Sequence, residues 1–454
     1  MKQLYYGGIG LLGVTLMALL WQGPPQGHGS HDSAAQSSSP TPETAATSGE
    51  PAQDVAVAPT PPPLPQPTID PELQTLVTDY VDTLKSLGFD PAIQGVWVES
   101  STGTAAAYQA DRPLPAASLT KLATTLLALD RWPADYRFYT RIAATGPVVD
   151  GVLQGDLVVL GGGDPFYVWE TAIMLGNRLN ALGIRQVQGQ LVIDNANHIF
   201  VMNFERDRAT AGELLRQALD SRLWNQEAYG QYQTLPEGTP EPQVEINGGV
   251  VLRAVADADK LTLIVAQPSL TLAEVLKQMN MYSNNVMAEL LADLLGGAPA
   301  LTTKTQELTN LPGAEVSFIN GSGLGPENQL SARGACRILG TIAQQLEPQG
   351  LGLPDVLPIA NQDAGTLSWR DLPTGTIAKT GTLWNVSTLA GLVPQVDAPA
   401  AALSRDRSLC FAIFNHGENI DLFHAQQEQL VTALKLSLQP DPAPPTPSPT
   451  PATP

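Results

Sequence analysis

Hydrophobic positions along the middle of this chain recur with two different periods, and the changes between them mark out its elements. In "PELQTLVTDYVDTLKSLG" (71–88) the apolar residues fall at helical spacing and predict an amphipathic helix. The next stretch, "IQGVWVESSTGTAAAYQAD" (93–111), is extended, with a turn signal from Ser100 to Gly103, and reads as a strand pair. "SLTKLATTLLALD" (118–130) then returns to an apolar helix. From 138 to about 265 the texture changes to short strands such as "GVLQGDLVVLGGGDP" and "QGQLVIDNANHIF", separated by Gly and Asp turns, which predicts an inserted strand-rich unit. Helical spacing resumes in "LTLAEVLKQMNMYSNNVMAELLADLLG" (270–296). Three strand candidates, "GTIAKTGT", "STLAGLVPQV" and "LCFAIFNHG", precede a last amphipathic helix, "DLFHAQQEQLVTALKLSL" (421–438). No internal repeat is present.

The ends follow neither period. The opening "MKQLYYGGIGLLGVTLMALLWQG" has one Lys and then no charge to residue 22. Its apolar run of about 18 residues is near the minimum for spanning a bilayer. Residues 1–22 therefore read as a signal peptide or an N-terminal membrane anchor, with residues 4–21 as the anchoring stretch and export to the periplasm or cell envelope as the consequence. The "GIGLLG" inside it matches a dinucleotide-loop pattern but lacks the strand and βαβ unit that pattern needs. Residues 23–68 and 439–454 are rich in Pro, Ser, Thr and Ala, too poor in large apolar residues to pack, and read as a linker and a tail. His28 and His31 lie in that linker and read as solvated. The folded body is thus expected from Ile69 to Leu438, as segments 69–137 and 266–438 around an insertion at 138–265.

Composition narrows the class. A chain of 454 residues, 43% hydrophobic, can bury a substantial core. A net charge of −20 with only 24 scattered Lys and Arg excludes the clustered basic surface that nucleic-acid binding requires. The two cysteines, Cys336 and Cys410, have no metal-ligand spacing; they read as buried small hydrophobes, with pairing left open.

The candidate chemistry begins at Ser118 and Lys121, three residues apart on a helix and so on one face, where an amine reaches a hydroxyl. A lone SxxK is common; Ser118 could be an ordinary N-cap and Lys121 a snorkelling lysine. Two further patterns alter the reading: "YSNN" offers Ser283 and Asn285 as SxN at the start of a helix, and "AKTG" offers Lys379, Thr380 and Gly381 on a strand. SxxK, SxN and KTG, in that order, form the motif set of the penicillin-recognising serine acyltransferases.

With these motifs, and with "GVLQGDLVVLGGGDPF", "LVIDNANHIF", "NGSGLG" and "IAKTGTLWNVSTLAGLV", the chain resembles the D-alanyl-D-alanine carboxypeptidase/endopeptidase family of penicillin-binding proteins (peptidase family S13) from about residue 70 to 436. The resemblance implies an α+β penicillin-binding/β-lactamase-like transpeptidase fold: a five-stranded antiparallel sheet flanked by helices, with an inserted strand-rich domain. It implies a serine D-Ala-D-Ala carboxypeptidase, also able to act as an endopeptidase, on peptidoglycan stem peptides, acylated by β-lactams at Ser118. No cofactor is required, and the membrane is touched only through the N-terminal segment. Lys121 would be the base. Its reference pKa is about 10.4, so neutrality near pH 7 requires burial and the like charge of Lys379 to favour the free amine by about 4 kcal/mol. Ser283 would relay a proton to the leaving amine, Asn285 would orient Lys121 and the substrate amide, and Lys379 and Thr380 would hold the terminal carboxylate. Gly381 would let the strand approach the ligand backbone. The N–H groups of Ser118 and Thr382 would form the oxyanion hole. The chain departs from the usual SDN in having Asn284 at the middle position, whose side chain is expected to point away from the cleft.

Competing chemistries lack their parts. A Ser-His-Asp hydrolase needs a GxSxG elbow, but "NGSGLG" lacks its first Gly, and His198, His416 and His424 show no local acid and elbow context. A zinc peptidase would need HExxH or a ligand cluster. "GGGDP" at 161–165 is followed by no GK[ST] and reads as a tight turn. Two other functions on the same fold stay open: a serine β-lactamase using Glu327 of "ENQLS" to activate water, and a non-catalytic wall-binding module.

Overall fold

A computed structural model of the protein describes residues 68–100, 103–196, 198–255, 260–394 and 408–438. The expected export segment, the tail and, apart from Thr68, the linker lie outside the described residues. Among those described, no helix is long and apolar enough to cross a membrane.

The central sheet runs in the order Thr68–Ile69, Thr104–Tyr108, Gln94–Ser100, Ser408–His416, Val386–Pro394, Ile377–Leu383. The last five strands pair antiparallel, as expected. The sixth was not foreseen: Thr68–Ile69 adds to the edge in parallel, through only two residue pairs, Thr68 with Thr104 and Ile69 with Ala105. So short a strand carries no alternating pattern to read.

Strand alternation divides the protein into layers. Along Ser408–His416, Leu409, Phe411 and Ile413 enter one core, while Cys410, Ala412 and Phe414 enter the other. On the first face lie helices Pro71–Ser86 and Ile420–Ser437. Pro71–Ser86 starts at Asp70, whose carboxylate accepts from Glu72 and Leu73 N–H, and buries Leu73, Val77, Tyr80, Val81 and Leu84 on one stripe. On the second face lie Thr120–Arg131, Leu272–Met281 and Ala332–Leu346. There Cys336 of the helix meets Cys410 of the strand, with Cα atoms 6.0 Å apart, and the two form a disulfide rather than standing as separate apolar residues. The pairing is invisible in sequence because it depends on a helix crossing a strand 74 positions away.

Residues from Tyr139 to Pro268 build a second sheet, ordered Val250–Arg253, Leu191–Asp194, Leu157–Leu160, Tyr139–Ala144, Thr262–Pro268, with a core of its own. Its texture is less strand-dominated than expected, because helices Trp169–Ala181, Arg208–Leu219 and Gln226–Tyr232 belong to the same stretch, the first two burying residues against the sheet. Leu157, Val159, Leu191 and Ile193 face that main core, and only a small cluster around Val158, Leu160 and Val192 occupies the opposite face. The "GGGDP" turn is present: Gly163 has a φ of 76° and Asp164 Oδ1 accepts from Phe166 N–H at 2.9 Å.

Candidate active site

A 3-10 turn, Ala117–Leu119, feeds helix Thr120–Arg131 and carries Ser118, which is half-buried. Ala117 has a φ of 47°, in the left-handed region that costs an L-residue energy and persists only where its surroundings impose it. The helix it precedes is buried on almost every side, Leu122, Ala123, Leu126 and Leu127 among others. Lys121, in its first turn, is wholly buried. Its Nζ lies 3.0 Å from Ser118 Oγ, 2.8 Å from Asn285 Oδ1 and 2.7 Å from Ser322 O.

Burial is the largest cause drawing the Lys121 pKa well below the ordinary amine value; the Lys379 charge adds to it and Glu289 opposes it. A neutral amine keeps two N–H groups and one lone pair. Asn285 Oδ1 and Ser322 O can take the two hydrogens, which leaves the lone pair for the Ser118 hydroxyl.

Ser283 sits between helices Leu272–Met281 and Asn285–Leu294 with a φ of 55°. Asn284 caps the second helix, its Oδ1 accepting from Met287 N–H at 3.0 Å, so the side chain at the unusual middle position of SNN turns back onto its own helix. Lys379, also wholly buried, donates to Ser283 Oγ at 2.9 Å and to Thr380 O at 2.7 Å. Burial pulls its pKa down to about 7. The fold therefore gathers Ser118, Lys121 and Asn285 into one cluster and Ser283, Lys379 and Thr380 into another that adjoins it.

Two glycines fix how closely the pieces meet. A Cβ on Gly381 would stand 2.2 Å from Thr388 Oγ1, 2.9 Å from Ser118 N and 3.0 Å from Ala116 O. The close approach at Gly381 is thus to the turn bearing Ser118. It brings strand Ile377–Leu383 against the Ser118 N–H, with the Thr382 side chain exposed beyond it. A Cβ on Gly323, whose φ is 83°, would stand 1.8 Å from Ala117 O.

Three contributors escaped the sequence reading. The carbonyl of Ser322 is a backbone acceptor and leaves no side-chain signature. Glu289 accepts from Gly321 N–H at 3.1 Å and Ser322 N–H at 3.0 Å, holding that carbonyl toward Lys121. It follows Asn285 by one helical turn, a spacing that could have exposed it. Thr366 Oγ1 lies 2.7 Å from Thr380 Oγ1, and no motif marks it.

Other singled-out residues fall elsewhere. His198 does have an acid, since its Nδ1 is 2.5 Å from Asp194 Oδ2; its Nε2 faces Arg141 Nη2 at 3.0 Å, so both ring nitrogens are occupied. His416 ends a strand and His424 lies on the last helix. Glu327 is exposed, its carboxylate folded over Gly325 of its own loop.

The profile of the D-Ala-D-Ala carboxypeptidase 3 (S13) family matches residues 83–201 and 223–435. A carboxypeptidase of Mycobacterium tuberculosis is 26% identical over 396 residues, 74% of this chain and 82% of that relative. A carboxypeptidase of Mycolicibacterium smegmatis is 33% identical over 150 residues, 29% of this chain and only 32% of that relative's length. Among solved structures, a penicillin G-acylated predatory endopeptidase of Bdellovibrio bacteriovorus, in complex with an immunity protein, superimposes with a TM-score of 0.64 at 23% identity, covering 76% of this chain and 92% of that one. Penicillin binding protein 4 of Haemophilus influenzae, complexed with a β-lactam, gives a TM-score of 0.57 at 19% identity, covering 79% and 99%. At these identities the likeness to the solved structures concerns the fold.

Proposed function

Because the chain belongs to the D-Ala-D-Ala carboxypeptidase 3 (S13) family, we propose that it is an exported serine D-Ala-D-Ala carboxypeptidase, with endopeptidase capacity, that acts on peptidoglycan stem peptides through an acyl-enzyme on Ser118. The observation that carries this reading is the buried Lys121 amine 3.0 Å from the Ser118 hydroxyl, with its other two partners already supplied by Asn285 and Ser322.

In the proposed reaction Ser118 Oγ attacks the carbonyl carbon of the penultimate D-Ala while its proton passes to Lys121 Nζ. The oxyanion is held by the N–H groups of Ser118 and Thr382, each worth roughly 3 kcal/mol in the transition state. The C–N bond breaks, and the leaving amine takes a proton through the Ser283 hydroxyl. Water, or an amine, then attacks the ester carbon, the acyl C–O bond to Ser118 breaks, and the proton that the nucleophile loses passes through Lys121 Nζ to Ser118 Oγ. Lys379 and Thr380 hold the substrate's terminal carboxylate. The Cys336–Cys410 disulfide supports export, since such bonds persist in oxidising compartments.

The pH profile has an expected sign. Acylation efficiency on carboxylate-bearing substrates should fall at acid pH, as Lys121 takes up a proton. It should fall again above about 7, as Lys379 loses the charge that attracts the carboxylate. A penicillin whose carboxylate is esterified should lack the alkaline fall. A rate on the free acid that keeps rising past pH 9 or so would oppose the role given to Lys379.

The β-lactamase alternative is tested by the lifetime of the penicillin adduct. A retained ring fragment blocks water, so release requires a dedicated base, and Glu327 is exposed on a loop. The adduct should persist for minutes or longer and keep its lifetime in Glu327→Gln. Rapid penicillin turnover abolished by that substitution would establish a lactamase instead.

A further inference from the structure

The loop between Ile359 and Leu372 carries no motif, yet it threads between the residues before Ser283 and the strand bearing Thr380. Thr366 N–H donates to Met281 O at 3.0 Å, and Thr366 Oγ1 lies 3.5 Å from the same oxygen. The preceding Gly365 has a φ of 89°, and a Cβ there would stand 2.1 Å from Met281 O, so only glycine lets the loop press on this point. Both flanks are tied down. Asp363 Oδ2 accepts from Lys277 Nζ at 2.6 Å and from Ile359 N–H at 2.7 Å. Arg370 donates to Glu428 Oε1 at 2.5 Å and to Gln427 Oε1 at 2.9 Å. Thr366 is therefore held in place, with its hydroxyl 2.7 Å from that of Thr380.

We propose that Thr366 is a positioning residue that sets the direction in which the Thr380 hydroxyl donates, and thereby contributes to selection of substrates ending in a free carboxylate. The inference rests on the assignment of Thr380 to the terminal carboxylate. Each hydroxyl has one proton and two lone pairs, and only one proton can lie between two oxygens. Without an anion, the Thr380 proton can point to Thr366 Oγ1 while the Thr366 proton turns toward Met281 O. With a carboxylate present, the pair reverses: Thr366 donates to Thr380 Oγ1, and the Thr380 proton is released toward the anion. A valine at 366 can neither accept nor donate, so Thr380 loses the partner that fixes its rotor.

The test compares acylation of the full chain by benzylpenicillin and by its methyl ester, in wild type, Thr366→Val, Thr366→Ser and Thr380→Val. The ratio of acid to ester rates within one preparation does not depend on how much of a variant is folded. Thr366→Val is expected to lower that ratio about tenfold, the scale of a hydrogen bond to a charged group. Thr366→Ser is expected to restore it, and the double variant with Thr380→Val should fall no further than Thr380→Val alone. If Thr380→Val lowers the ratio and Thr366→Val leaves it unchanged, or if losses at the two positions multiply, the inference about Thr366 is wrong while the carboxylate assignment stands. If Thr380→Val itself leaves the ratio unchanged, the assignment fails and the inference with it.

Discussion

Lys121→Ala is expected to acylate with benzylpenicillin about 10²- to 10⁴-fold more slowly than wild type, the range for removal of a positioned general base. The size follows from what the amine alone supplies. Ser118 has no other nitrogen base at hydrogen-bond distance among the described residues, and Asn285 and Ser322 present acceptor oxygens that cannot take its proton. Loss of a charge-capable group from a fully buried site also removes its desolvation cost, so the change in thermal stability should be much smaller than the change in rate. Lys121→Arg should not rescue, because a guanidinium stays protonated. Stopped-flow or gel-based labelling reads both variants, and wild-type acylation in Lys121→Ala would remove the base from the scheme.

Gly323→Ala is the second large effect. Its added methyl would meet Ala117 O at 1.8 Å and Ala117 C at 2.5 Å, at a φ of 83°, so both the contact and the backbone conformation are unfavourable. Ala117 is main chain of the turn that carries Ser118, and relief must come from moving that turn or the Gly321–Gly323 segment. Either movement separates Lys121 from Ser118 Oγ or from Ser322 O. A misplacement near 1 Å costs about 10²-fold in rate, and the strained position is expected to cost roughly 1–3 kcal/mol of stability. Gly238→Ala is the control: its φ is also 83°, but nothing lies within 4 Å of the added carbon, so acylation should be nearly unchanged. Equal acylation by the two variants would show that the contact with Ala117 does not control the site.

The readable parts of this site were the ones whose chemistry is local in sequence. Ser118, on the 3-10 turn that enters the helix, and Lys121, in the helix's first turn, are only three positions apart, and the three motifs supplied the side chains that the fold gathers. The apolar run "LCFAIFNHG" likewise marked out the strand Ser408–His416. What stayed hidden depends on contacts between distant segments or on backbone atoms. The Ser322 carbonyl has no sequence signature, Thr366 reaches Thr380 only because its loop is tied at both flanks, and the partner of Gly381 is the Ser118 turn. The helices within residues 138–265 were obscured by the Gly and Asp turns that dominate that stretch, although Leu175 and Leu179 of Trp169–Ala181 bury at a helical period. The disulfide required knowing that helix Ala332–Leu346 crosses the one strand that carries Cys410.

Peptide mapping by mass spectrometry after incubation with benzylpenicillin reads out whether Ser118 is the nucleophile. One penicilloyl group per chain is expected, located on the peptide containing Ser118, and none on Ser118→Ala. A stable adduct on another residue, or undiminished labelling of Ser118→Ala, would contradict it.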